Sequence, residues 1–147
     1  MAAHSITVHT TRRKESTARS ERAWLTCPSN MRQKSYHIVV DEDEAIECVP
    51  LGEAAWHAND GVMGLGNRGS IAIVLCESGD YDRTLANAAE LVAKLLKERG
   101  WGTERLRRQY DWCGRVNPRL MFDGGRWTGW TLFKRQVAIV LAGGDNR

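Results

Sequence analysis

Residues 70–76, SIAIVLC, form the most apolar strand-like segment of the chain. A strand with no polar alternation must be covered on both faces, which is the signature of a central position in a parallel or mixed sheet. The next segment supplies one of the covers. Asp80 or Asp82 can cap a helix whose apolar stripe is Leu85, Ala88, Ala89, Leu91, Val92, Leu95 and Leu96, and Gly100 closes it. A buried strand feeding an amphipathic helix predicts an α/β arrangement.

The remaining segments fit that plan. SITVHT (5–10) alternates, with Ile6 and Val8 facing one way and Thr7 and His9 the other, as in a half-buried strand. Residues 15–26 have helix-compatible spacing and stop at Pro28. SYHIVVD (35–41) is a second strand, on which alternation places Tyr36, Ile38 and Val40 together and His37 opposite. DEDE (41–44) is a turn leading into AIECVP (45–50), so the pair is expected to be a hairpin. Residues 57–69 are loop-like, 104–112 is a short strand or loop, and Trp127, Trp130, Phe133, Val137 and Leu141 mark a closing helix weakened by Gly129. The expected fold is a single α/β domain over residues 1–147, a central mixed sheet flanked by about three helices.

Charge and composition narrow the function classes. The net charge of +3 is mild, and the basic clusters at Arg12–Lys14 and Arg105–Arg108 read as solvated surface before they read as a nucleic-acid interface. No run approaches the roughly 18 apolar residues of a membrane span, and the N-terminus has no apolar signal core, so synthesis in the cytoplasm is expected. Cys27, Cys48, Cys76 and Cys113 are widely spaced without a CxxC pair, and four free thiols are expected. The glycines of GVMGLGNRG (61–69) precede a strand, whereas a phosphate cradle needs them between a strand and a helix.

Taken together, ITVHTT, SYHIVVDEDEAIECVPLGEAAWHANDG, GNRGSIAIVLCESGDY, YDWCG, NPRLM and GRW resemble, in that order, the N-acetylmuramoyl-L-alanine amidase family. This fold is shared by phage endolysins, bacterial autolysins and peptidoglycan recognition proteins. The resemblance covers about residues 5–140 and implies a zinc enzyme that cleaves the amide between the muramic acid lactyl group and the first alanine of the stem peptide. It also implies the cell wall as the place of action. No separate wall-binding module is expected within these residues.

Such chemistry needs nitrogen, sulfur or carboxylate ligands around zinc, an open position for water, and a base. The resemblance places His9 at the first histidine ligand, Gln109 at the second, and Asn117 at the cysteine or aspartate before Pro118. It places Val74 at a catalytic glutamate, Arg115 at a lysine, and Tyr36 at a tyrosine near the reaction centre. Neutral carboxamides are poor zinc ligands. The expectation is therefore a vestigial metal position at His9, zinc absent or weakly held, and amidase activity absent or very weak.

Trp56, His57 and Trp112 complete the expected ligand cleft, the tryptophans as platforms for a sugar. A replacement metal site from His9, His37 and His57 is disfavoured because alternation turns His37 away from Tyr36. Cys113 lacks an identifiable base and reads as an inert thiol. Two function classes remain. One is an inactive amidase-like domain that binds peptidoglycan fragments. The other is a scaffold repurposed, by selection or by design, with a neutral pocket for a different small ligand or reaction.

Overall fold

The computed structural model describes residues 1–31 and 33–144. Five strands form one mixed sheet: β1 (Ser5–Thr10), β2 (Ile38–Val40), β3 (Ala45–Glu47), β4 (Ser70–Leu75) and β5 (Leu106–Arg108). Their spatial order is β3-β2-β4-β1-β5. β4 lies at the centre between parallel neighbours β1 and β2; β5 continues parallel to β1, and β3 pairs antiparallel with β2. All six residues of β4 are buried, as its uninterrupted apolar sequence requires.

Three helices of substantial length cover the sheet: α1 (Ala18–Thr26), α3 (Tyr81–Arg99) and α5 (Thr128–Leu141). Two five-residue helices, α2 (Leu65–Gly69) and α4 (Gln109–Cys113), lie between them. α3 and α5 pack on the face formed by Ile6, Val8, Ile38, Val40, Ile71, Ile73 and Leu75. The opposite face carries Tyr36, Val39, Ala72, Val74 and Cys76 beneath Ala18 and Leu25 of α1. Asp80 caps α3 by accepting from the Arg83 N–H at 3.2 Å. At the other end Gly100 takes a left-handed φ of 66° and returns its N–H to the last carbonyls, a conformation that costs glycine least.

Several expectations need correction. β1 is buried on both faces because α4 and the chain around His57 cover its polar side, so it is not half-buried. α1 begins at Ala18, where Thr17 and Ser20 form a reciprocal cap. Strand structure in 35–41 is limited to Ile38–Val40, and Tyr36 lies on the face opposite Ile38 and Val40. The alternation slips at His37, whose carbonyl accepts from both Cys48 and Val49, two residues against one as in a bulge. Strand β3 stops at Glu47, short of Pro50.

The expected loop 57–69 contains α2, and 104–112 contains both β5 and α4. Gly129 does not weaken the closing helix; a Cβ there would come within 2.8 Å of the Met121 Cα, so glycine permits the close approach. The basic clusters are not simply solvated. Arg13 pairs with buried Glu21 and lies over Trp24. Arg105 donates to the His4 carbonyl, and Arg108 pairs with Asp111 and stacks on Trp127. All four thiols are free. Among the described residues, no helix is long and apolar enough to cross a membrane.

Candidate functional site

The parallel register pairs His9 of β1 with Val74 of β4 and Val74 with Val39 of β2, so all three project from the face opposite α3 and α5. Over that face, the start of α4 brings Gln109, and the turn beyond α4 brings Asn117. His9 thus meets Gln109, 100 residues away in sequence, and Asn117, 8 residues beyond Gln109, beneath the surface.

Their contacts have a definite polarity. The Thr10 backbone N–H can only donate, and it lies 2.8 Å from Asn117 Oδ1. Asn117 Nδ2 therefore faces Gln109 Oε1 as a donor at 2.9 Å. That oxygen also sits 3.2 Å from His9 Nδ1. On the far side of the ring, His9 Nε2 lies 3.0 Å from His57 Nδ1, and His57 Nε2 donates to the Ser70 carbonyl at 3.1 Å. A carbonyl oxygen thus terminates the pair of imidazoles at each end. Three contacts need three ring protons, and two neutral imidazoles carry two.

A third proton is opposed by the surroundings. Burial, then the neighbouring His57, holds His9 well below the ordinary histidine range, with Lys34 and Arg115 acting in the same direction. Burial, then His37, lowers His57 to about 4. Both rings are neutral at pH 7, and the buried chain is one proton short of complete.

His57 is delivered by a well-fastened loop. The Asn67 side-chain oxygen accepts from the backbone of both His57 and Ala58, at 2.8 and 2.7 Å. Asp60 in turn accepts from Gly66 and Asn67, which fixes the start of α2. His37, which alternation was expected to turn away from Tyr36, is fully buried with its ring centroid 6.2 Å from that of His57. The bulge at His37 accounts for the difference. Its nitrogens are committed: Nδ1 accepts from the Ala72 N–H, and Nε2 donates to the Glu53 carbonyl.

A cleft of about 190 Å³ opens above this floor. Trp56, His57, Gln109 and Arg115 line it, joined by Gln33, Lys34 and Asn59. The last three carried no signal in the sequence beyond adjacency to SYHIVV or membership of AWHAND. Five other expected cleft residues lie elsewhere. His9 and Asn117 sit directly under Gln109. Trp112 is turned to the sheet, where its Nε1 donates to Thr7 Oγ1 at 2.8 Å. Val74 and Tyr36 belong to the apolar cluster under α1. The Tyr36 hydroxyl donates to Glu21 at 2.6 Å, and burial, then that carboxylate, raises its pKa strongly.

The donor set at the convergence point is one imidazole and two carboxamides whose oxygens are already engaged. It does not match the nitrogen, thiolate or carboxylate shell of a tetrahedral zinc ion. Among the described residues, no group of three or more histidine, cysteine, aspartate or glutamate side chains is gathered to hold a metal. What this floor offers chemically is hydrogen bonding.

A mixed sheet with His9, Gln109 and Asn117 converging under a small polar cleft is the arrangement found here, and comparison with known proteins gives its family. The sequence model described as N-acetylmuramoyl-L-alanine amidase matches residues 1–118. The chain is 40% identical over 131 residues to the N-acetylmuramoyl-L-alanine amidase XlyB of Bacillus subtilis (strain 168), covering 86% of this chain and 40% of that protein. It is 37% identical to CwlA of the same organism, covering 86% of this chain and 47% of that one. The chain therefore spans less than half the length of these curated relatives.

Among solved structures, the catalytic domain of XlyA superposes with a TM-score of 0.83 at 32% identity, over 92% of this chain and 86% of that one. The structure of PlyL does so with a TM-score of 0.82 at 32% identity, over 93% and 84%. The chain belongs to the N-acetylmuramoyl-L-alanine amidase family.

Proposed function

We propose that this domain holds peptidoglycan fragments in the cleft above Gln109 without zinc-dependent hydrolysis of the amide. One observation carries the reading. Asn117 Oδ1 accepts from the Thr10 N–H and Gln109 Oε1 accepts from Asn117 Nδ2, where a metal shell would need anionic or imidazole donors. The apolar packing of Val74 with Ala72 and Cys76 supports it, because no carboxylate projects from that position of β4 to act as a base. Family membership supplies the ligand class, and Trp56, 38% exposed in the cleft, offers a face for a sugar ring.

The test joins a metal count to a turnover assay. Protein purified without chelators is expected to contain well under one zinc per chain, to leave muropeptides uncleaved, and to be enriched on purified sacculi over a control protein of equal charge. Stoichiometric zinc that disappears in His9→Ala, together with muropeptide cleavage, would overturn the proposal.

A further inference from the structure

The orientation of Gln109 has a consequence for what the cleft can recognise. The Thr10 N–H fixes Asn117, Asn117 fixes Gln109 Oε1 inward, and the Gln109 amide nitrogen is left as the group turned to the cleft. Gln109 is 5% exposed, and its side-chain contacts among the described residues run through Oε1. The floor thus presents N–H donors. Around it stand Lys34 and Arg115, close enough for their charges to act on the His9 ring, while the remaining lining is Gln33, Trp56, His57 and Asn59, with no carboxylate. Donors on the floor, cations at the rim and no acid form the complement of an anion with two acceptor oxygens.

We infer that the cleft is a carboxylate site, which receives the carboxylate of a peptidoglycan fragment at Gln109 beside Arg115. This rests on the fragment-binding reading and specifies which fragments bind. An N-acetylmuramoyl–L-alanine amide, once hydrolysed, leaves a carboxylate on the muramic acid and an ammonium on the alanine. The cationic rim attracts the first product and repels the second. The intact amide is neutral at the same point and gains nothing from the rim. Such a domain distinguishes cut wall from uncut wall. A stem-peptide carboxylate has the same chemistry and is the second source to be separated by experiment.

The whole chain is titrated calorimetrically with N-acetylmuramic acid, with its methylamide, and with the dipeptide L-alanyl-γ-D-glutamate. The acid is expected to bind at least about tenfold more tightly than the methylamide, with the gap shrinking severalfold between low and 0.5 M salt as the rim charges are screened. Arg115→Gln, at an exposed position, is expected to weaken the acid severalfold more than it weakens the methylamide. Gln109→Glu, which sets a carboxylate against the ligand, is expected to abolish the preference. If the dipeptide binds more tightly than the sugar acid, the carboxylate inference stands and the source is the stem peptide. Equal binding of acid and methylamide overturns the inference and leaves the fragment-binding reading in place. No binding of any of the three overturns both.

Discussion

Two buried polar networks lie on the same side of the sheet, and they are built on opposite principles. Under α1, Glu21 receives Arg13 and the Tyr36 hydroxyl, while the Arg13 Nε donates to Ser16. A buried charge there is fully paired. Under the cleft, Thr10, Asn117, Gln109, His9 and His57 form a chain of neutral groups that lacks one proton. A satisfied ionic cluster rigidifies its surroundings, whereas an incomplete neutral chain is tolerated where something other than stability is at stake. The incomplete network is the one that meets the cleft.

The largest effect is expected from rebuilding the missing donors. Gln109→His with Asn117→Cys restores, beside His9, the ligand set that the family resemblance implies. The double variant is expected to take up one zinc per chain, and its Tm to rise with added zinc in a way the parent's does not, because a ligand that binds only the folded state stabilises it. Metal analysis and thermal melts check this. Failure to bind zinc would mean that the backbone at these positions has also moved.

Next in size, Glu21→Ala strands the buried Tyr36 hydroxyl and releases Arg13. A loss of about 2–3 kcal/mol in urea unfolding is expected, discounted because Arg13 can return to water. The same cluster sets the acid limit. Burial pushes Glu21 upward, but hydrogen bonds from Tyr36, Ser16 and Arg13 outweigh it and hold its pKa below the ordinary 4.5. Glu77, paired with Arg119, is lowered in the same way. The unfolded chain therefore binds these protons first. Their contribution is complete above about pH 4.5 and drains away as pH falls through the lower folded values. Unfolding curves from pH 7 to pH 3 should show the loss confined to the acid end, and Glu21→Gln should flatten it.

Asn117→Ala is expected to cost about 2 kcal/mol, since it leaves the Thr10 N–H and Gln109 Oε1 without partners. A loss clearly larger than that of Glu21→Ala would erase the contrast between the two networks. Arg115→Gln is expected to change stability by less than about 0.5 kcal/mol, as befits an exposed rim residue whose effect lies in binding.

Local chemistry carried much of the fold. The apolar run 70–76 required two covered faces whatever its neighbours, Asp80 and Gly100 bracket α3 through their own backbone preferences, and the acidic turn 41–44 joins a true hairpin. The order of motifs was enough to name the family. Hydrogen-bond partners distant in sequence are not encoded by any window of it. Alternation failed at His37 because a bulge depends on which residues oppose it across the ladder. Lys34 and Asn59 became cleft residues, and Trp112 ceased to be one, only once loops from three parts of the chain were packed together. Resemblance to the family is what assigns His9, Gln109 and Asn117 to metal positions, and that much is an inference from sequence. Only the tertiary structure decided which atom of each faces inward, because one backbone N–H at Thr10 propagates its donor character through Asn117 to Gln109 and turns an amide nitrogen toward the cleft.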